Sequence, residues 1–253
     1  MSRLWKSELV LRLDRMRCRA EVRSAWRREL QASAEVEGVG PTLIAMAIQA
    51  LRDQGVVLPK QACLLVSEEQ AYLSLLPADT AWSGATPRAT AHFAESLGRL
   101  DLVVRVAALP GGRWWLAAAI DPTDLLAWQR AVEQEGMALS NVQLGLLADL
   151  RVLASRIADR SVLALLRDEG VLLLRLSEGS PVELRWERCD PQAHACIEQR
   201  VQAFLKSGEV NEVEPMALLC RTPAQHDRWQ RLAQAHGWTL LLPSDALPVE
   251  AGT

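Results

Sequence analysis

Two short acidic turns are the places where residue types and spacing could support phosphate chemistry. Asp14-Arg15-Met16 joins two β-rich runs near the N-terminus, and Asp168-Glu169-Gly170 joins two more in the second half. An aspartate there could hold Mg²⁺, and a glycine would let backbone N–H groups approach a phosphate closely. Asp-x-Gly between two strands is also an ordinary β-turn sequence, and we favour that interpretation for Asp168 to Gly170.

Cys189, His194 and Cys196 form a second group of residue types that can bind a metal. A structural zinc site needs four ligands, and no second pair accompanies these three. On a helix, residues 194 and 196 would point about 200° apart, so they would not share one metal. We therefore expect no metal site and three unrelated residues.

The remaining reactive residues show no catalytic arrangement. The five cysteines include no C-x-x-C pair, and Cys63 and Cys220 lie in apolar runs, which fits a reducing compartment. Neither G-x-S-x-G nor G-x-x-x-x-G-K-[ST] occurs. The acid pairs Glu68-Glu69 and Glu133/Glu135 are expected on surface segments. The sequence predicts that the protein is not an enzyme.

Positive charge is concentrated in the first 28 residues, although the chain of 253 residues has a net charge of −3. Such a segment could bind nucleic acid or an anionic membrane surface. Its alternation of polar and apolar residues instead favours a sheet with one solvated face. Net acidity and the lack of an aromatic stacking platform argue against nucleic acid. The basic residues concerned are Lys6, Arg12, Arg15, Arg17, Arg19, Arg23, Arg27 and Arg28.

The elements that must position these residues alternate between strand and helix patterns. From about residue 161 the order is β-β-β-α-β-α-β, and the N-terminal half begins β-β-β-α-β. A Gly111-Gly112 turn predicts a hairpin, Asp121-Pro122-Thr123-Asp124 predicts a helix start, and a further helix is predicted over 144–157. The order predicts an α/β (mixed α+β) protein of two lobes, residues 1–115 and 116–253, each with a mixed sheet.

No run approaches the roughly 20 apolar residues of a membrane span, and the N-terminus lacks the apolar centre of a signal peptide. We therefore predict a soluble, cytoplasmic protein.

The succession of local stretches resembles one group of known proteins over most of the chain, from about Leu9 to Leu242. These are actin-like proteins with a duplicated RNase H fold, in particular the assembly-platform proteins of bacterial type IV pili and type II secretion. The families are PilM and the cytoplasmic part of GspL. The stretches that carry the resemblance are Ala62–Ser67, Ala71–Pro77, His92–Ala94 with Gly98, and Trp115–Asp121.

This resemblance implies an actin-like ATPase fold with a degenerate nucleotide site. The first hairpin turn has no glycine, Val171 stands where a Ser or Thr would follow Asp-x-Gly, and Thr222–Gln225 replaces a Gly-Gly adenosine loop. We therefore expect no cofactor. The alternative is a functional ATP-binding protein that hydrolyses or senses ATP. It would hold Mg²⁺ and ATP through Asp14, Asp168 and Gly170, with Glu133 or Glu135 positioning a water.

The resemblance further implies a non-catalytic scaffold at the inner membrane. It would link PilN-like or GspM-like membrane proteins to a cytoplasmic assembly ATPase, and pilus and secretion machines both remain open, as does a homodimer. Trp26, Trp82 and Trp114 lie beside turns or charged residues, so we predict that they are exposed anchors for these partners.

Overall fold

The computed structural model describes residues 7–24, 29–190, 193–208, 214–220 and 223–242. The chain divides into two compact units, each drawn from three segments. The first unit comprises Met1–Tyr72, Phe93–Val104 and Ala119–Ala148, and the second comprises Leu73–His92, Arg105–Ala118 and Asp149–Thr253. The lobe boundary between residues 115 and 116 stays a prediction.

Strands and helices alternate along the described residues. The strands are β1 (Ser7–Leu13), β2 (Arg17–Ser24), β3 (Leu30–Glu37), β4 (Gln61–Val66), β5 (Tyr72–Pro77), β6 (Val103–Ala108), β7 (Trp114–Ile120), β8 (Ala138–Leu144), β9 (Ser161–Leu166), β10 (Gly170–Ser177), β11 (Ser180–Arg188), β12 (Met216–Leu219) and β13 (Thr239–Leu241). The helices are α1 (Thr42–Asp53), α2 (Ala85–Leu97), α3 (Pro122–Gln134), α4 (Gly145–Leu153), α5 (His194–Lys206) and α6 (Pro223–His236).

The two five-stranded sheets share one topology. The first has the order β3-β2-β1-β4-β8, and the second has the order β11-β10-β9-β12-β13. In each sheet the first three strands of the chain pair antiparallel, whereas the fourth and fifth join in parallel. This repetition confirms the prediction of two lobes with mixed sheets.

The first sheet is buried on one face because its side chains alternate. Leu9, Leu11 and Leu13 of β1 are withdrawn from solvent, as is Cys18 of β2. Helix α1 packs against β2 and β3. The buried side of α1 recurs at helical spacing and consists of Leu43, Ile44, Ala47, Ile48 and Leu51.

The second sheet is more deeply buried. Every residue of β9 is buried, and so is β10 up to its last residue, which is typical of strands covered on both faces. Phe204 of α5 and Trp229 of α6 fill the core beside them.

The predicted hairpin and the predicted helix start are both present in the structure. A three-stranded sheet, β5-β7-β6, contains the predicted hairpin, with Gly111 and Gly112 both at positive φ. The Asp121 carboxylate accepts a hydrogen bond of 2.9 Å from Thr123 N and caps α3.

Two local predictions need correction. Strand β8 was not expected, because the apolar residues of Ala138–Leu144 do not alternate regularly with its polar ones, and only Leu144 of the strand is buried. The helix predicted over 144–157 begins at Gly145 and ends at Leu153. Among the described residues, no helix is long and apolar enough to span a bilayer.

Candidate functional site

The first acidic turn is closed by backbone contacts. Asp14 N donates to Arg17 O at 2.8 Å, and Met16 O accepts a hydrogen bond of 3.0 Å from Gly38 N. The Asp14 residue is buried. Burial of the Cys18 thiol, and next the charge of Asp14, raise the pKa of Cys18 to about 12. The turn between β1 and β2 is therefore held by its neighbours and places a carboxylate at the end of the sheet.

The arginines of the N-terminal hairpin surround a buried carboxylate. Glu21 of β2 has no exposed surface, and Arg19 and Arg23, two residues away on the same face, contact its oxygens at 2.9 and 2.6 Å. Arg12, from β1, lies 4.0 Å away. These arginines are half-buried, so the freely solvated face expected from the alternation needs correction. The sequence analysis missed Glu21, whose only signal was an acidic residue within a basic strand.

The second acidic turn makes two backbone hydrogen bonds and one ion pair within the second unit. Arg167 N donates to Gly170 O at 2.9 Å, which closes the turn. Glu169 O accepts from Cys189 N at 3.0 Å, and its carboxylate pairs with Arg188 at 2.8 Å. The turn is thus bound to the end of β11 at Arg188 and to the next residue, Cys189.

Gly170 has a packing role at this turn. A Cβ added there would lie 2.2 Å from the carbonyl oxygen of Glu187, which is far inside van der Waals contact. The glycine therefore allows β10 and β11 to approach each other where Gly170 pairs with Arg188. A phosphate is not needed to explain it.

Arg167, at the start of the same turn, is fully buried. Its guanidinium donates to the carboxylate of Asp149 on α4 at 3.2 Å and to Leu166 O at 3.2 Å. A buried guanidinium needs such partners because desolvating an unpaired charge is costly. The sequence analysis did not single out this pair, because residues 149 and 167 lie on different elements.

The chemistry open to the second turn is limited by its charges. The turn carries two acidic residues, Asp168 and Glu169, and the Glu169 carboxylate is already paired with Arg188. Val171, in place of a hydroxyl residue, is fully buried. Asp14 belongs to the first unit, whereas Asp168 and Gly170 belong to the second. Thr222, from the expected adenosine loop, lies outside the described residues.

The three predicted tryptophan anchors differ in their surroundings. Trp82 is 57% exposed, and its ring meets the buried Trp115 edge-on with centroids 6.0 Å apart. Trp114, the first residue of β7, is half-buried. Trp26 lies outside the described residues. Trp82 is thus the described tryptophan that is both exposed and supported from beneath.

The other reactive residues separate into two contacts. The His194 ring lies 4.2 Å from that of Trp229 and accepts from Arg228 Nε at 3.1 Å. Cys189 and Cys196 are both half-buried, and Cys189 Sγ donates to Glu187 O at 3.7 Å. Across the described ranges, no three His, Cys, Asp or Glu side chains are arranged to hold a metal ion.

The acid pairs also have separate places. Glu68 lies directly after β4 and is buried, so the predicted surface position was wrong. The reason is that Ser67 N donates to Leu13 O at 2.9 Å, which holds this segment against the sheet. Glu133 is exposed and accepts from Gln129 at 2.8 Å, and Glu135 pairs with Arg52.

Comparison with known proteins gives matches in structure. No family model and no curated protein matches the sequence. The protein in a structure described as the PilM-PilN type IV pilus biogenesis complex matches 96% of this chain and 90% of its own, with a TM-score of 0.71 and 15% identity. A Bacteroides thetaiotaomicron protein of unknown function with an actin-like ATPase fold matches 97% and 93%, with a TM-score of 0.64 and 11% identity. The fold is actin-like.

A third match is the cytoplasmic domain of EpsL, an inner-membrane component of the type II secretion system of Vibrio cholerae. It aligns over 84% of this chain and 82% of its own, with a TM-score of 0.56 and 15% identity. The actin-like fold and the two repeated sheets confirm the fold class predicted from the order of elements.

Proposed function

We propose that this actin-like protein is a non-catalytic scaffold of a type IV pilus or type II secretion assembly platform. It holds PilN-like or GspM-like inner-membrane proteins and links them to the assembly ATPase. The observation that carries the proposal is the second acidic turn, where Gly170, Glu169 and Arg167 are all engaged in contacts within the protein. The likeness in fold to PilM and EpsL supplies the setting.

The second acidic turn lacks phosphate-binding groups, which favours protein binding as the role of this fold. In an actin-like ATPase the corresponding turn needs backbone N–H groups and a hydroxyl directed at a phosphate. Here the strand pairing uses the glycine, and the buried Val171 has no hydroxyl to offer. A scaffold requires surfaces rather than a phosphate site, and Trp82 is the proposed anchor on such a surface.

Co-purification tests the proposal in the cell. The tagged chain should recover the PilN-like or GspM-like protein encoded by the same organism, and Trp82→Ala should recover less of it at equal expression. Recovery of neither membrane protein, by a chain shown to be folded, would overturn the scaffold role.

A nucleotide experiment separates the scaffold from the ATP-binding alternative. Because a ligand that binds only the folded state raises the melting temperature, Mg-ATP well above its dissociation constant should raise it by several degrees if the site works. We expect no shift. A shift that Asp168→Asn removes would assign nucleotide binding to the second turn and contradict the non-catalytic proposal.

A further inference from the structure

The second five-stranded sheet ends at β11 on one side. Among the described residues, β11 pairs with β10, and no further strand lies on its outer side. Backbone groups on the outer side of such an edge strand can pair with another extended chain. We propose that β11 pairs antiparallel with β11 of a second copy of this protein, about a two-fold axis at Trp186. This dimer goes beyond the scaffold role and does not depend on it.

Two residues near the end of β11 direct their backbone groups inward, toward β10. Cys189 N donates to Glu169 O at 3.0 Å. The carbonyl oxygen of Glu187 lies so close to Gly170 that a Cβ there would be 2.2 Å from it. Both observations fix the direction of the peptide groups at this end of the strand.

The residues between these positions direct their backbone groups outward. The direction reverses from one residue to the next along a regular strand, so Leu184, Trp186 and Arg188 face away from β10. The register between β10 and β11 shifts only between Arg175 and Leu176, on the far side of Glu183 from Trp186. Residues 184–188 therefore offer a regular stretch of backbone to a second strand.

The charges of β11 select one register for this pairing. Glu183, Arg185 and Glu187 alternate along the strand and share one of its faces. An axis at Trp186 places Arg185 opposite Glu187 of the second copy, and Glu187 opposite its Arg185. An axis at Arg185 would instead place like charges opposite each other at all three positions. Opposite charges directly across two strands stabilise their pairing, whereas like charges destabilise it.

Two other registers are less suitable. An axis at Leu184 would also set Glu183 opposite Arg185, but it requires Val182, which lies where the register with β10 shifts. An axis at Glu187 would place the two Glu187 carboxylates opposite each other. The axis at Trp186 is therefore the register that combines regular backbone with opposite charges.

The other face of β11 supplies apolar contact. Leu184 and Trp186 are half-buried, whereas their partners on β10, Leu174 and Leu172, have no exposed surface. A second copy would bring Trp186 against its counterpart and cover Leu184 with the aliphatic part of Arg188. The apolar face of the second sheet would thus continue across the axis.

The charges that select the register are still accessible in the single chain. Arg185 contacts Glu183 at 3.2 Å, and Glu187 contacts Arg200 at 3.3 Å, but the Arg185 and Glu187 side chains remain 42% and 21% exposed. A guanidinium has several N–H donors and a carboxylate has two oxygens, so each can keep its own partner and accept a second. Because few residues from each copy take part, we expect a weak dimer that depends on concentration.

Sedimentation velocity of the full-length chain over a series of concentrations tests the dimer. We expect a sedimentation coefficient that rises with concentration, as a weak and reversible dimer requires. The β11 peptide that contains Trp186 should also exchange its amide hydrogens more slowly at high concentration. A chain that stays monomeric up to high micromolar concentration, or a dimer without this protection, would overturn the proposal.

Two charge variants test the register. Arg185→Glu and Glu187→Arg each place like charges opposite each other, so each variant alone should dimerise about fivefold more weakly or worse. An equal mixture of the two should dimerise as strongly as the wild type, because glutamate again lies opposite arginine in the mixed pair. A general effect of either substitution on the fold would not be reversed by mixing.

Arg130→Glu is the matched control, because Arg130 is exposed on α3 of the first unit. It should leave dimerisation unchanged, and circular dichroism confirms that each variant is folded. Dimerisation that neither β11 variant weakens, or that the mixture does not restore, would contradict pairing through β11.

Discussion

The guanidinium of Arg167 lies 3.2 Å from the carboxylate of Asp149, and both side chains are almost fully withdrawn from solvent. Arg167 also begins the second acidic turn, where its N–H donates to Gly170 O. The ion pair thereby connects α4 to the turn between β9 and β10. It is a contact within the protein, made beside the turn to which the resemblance to actin-like ATPases would assign a phosphate.

Removing one member of this pair should destabilise the fold strongly. Asp149→Ala removes the carboxylate that faces the buried Arg167 guanidinium, so the free energy of unfolding should fall by about 3–5 kcal/mol. The double variant Asp149→Ala/Arg167→Met should recover much of this loss. Denaturant unfolding measures both.

The matched control is an ion pair at the surface. Arg113 and Glu178 lie 3.2 Å apart with both side chains mostly exposed. Glu178→Ala should therefore change the free energy of unfolding by less than about 1 kcal/mol. Equal losses in the buried and surface variants would show that the Arg167–Asp149 contact does not hold the turn.

Gly170→Ala should destabilise the protein through β10 and β11. The added Cβ would lie 2.2 Å from Glu187 O, so the strands must separate, at a cost of about 1–3 kcal/mol. Gly84→Ala is the control, because its Cβ would meet Thr80 Oγ1 at an ordinary 3.5 Å. Thermal melting compares the two. Unchanged stability of Gly170→Ala would reopen a phosphate-binding reason for this glycine.

The order of elements could be predicted from the sequence because it depends on local patterns. Apolar alternation, the Gly111-Gly112 turn and the Asp121 cap are all encoded within a few residues. Strand β8 was not predicted because its partner β4 lies far away in the chain and its own apolar residues do not alternate regularly.

The site was harder to predict than the fold because its contacts join distant residues. Asp168 and Gly170 were identified from the turn sequence, but the reason for the glycine lies at Glu187 on another strand. The burial of Arg167 depends on Asp149, 18 residues away on α4. The same holds for Glu21, whose Arg12 neighbour comes from the opposite strand of the hairpin.

Trp82 and Trp115 should respond differently to alanine. Trp82 is mostly exposed, so Trp82→Ala should lower the free energy of unfolding by only about 1 kcal/mol, through its edge contact with Trp115. Trp115 is buried, and Trp115→Ala should cost about 3–5 kcal/mol. Chemical denaturation distinguishes them. A large loss with Trp82→Ala would assign Trp82 to the fold rather than to a binding surface.

Stability near α3 should depend on pH through Asp121. Hydrogen bonds from Thr123, followed by that from Arg99, lower the pKa of Asp121 to about 2. Because the folded pKa lies below the unfolded one, the charged carboxylate stabilises the fold above about pH 4, and this contribution disappears as the pH falls to about 2. Asp121→Asn should therefore melt below wild type at pH 7, and the difference should vanish near pH 2.

A neighbour in the same helical turn provides the control for Asp121. Burial raises the pKa of Asp124, so Asp124→Asn should not lower the melting temperature at pH 7. If both substitutions gave the same difference at every pH, the cap and its charge would not explain the effect.

A calorimetric titration tests the scaffold role most directly. The N-terminal cytoplasmic segment of the organism's PilN-like or GspM-like protein, made as a peptide, is titrated into the chain with and without Mg-ATP, and a scrambled peptide is the control. We predict saturable binding that Mg-ATP leaves unchanged and that Trp82→Ala weakens about tenfold or more, since a tryptophan hot spot contributes about 2 kcal/mol. Absence of peptide binding by a folded chain that does bind Mg-ATP would contradict the account.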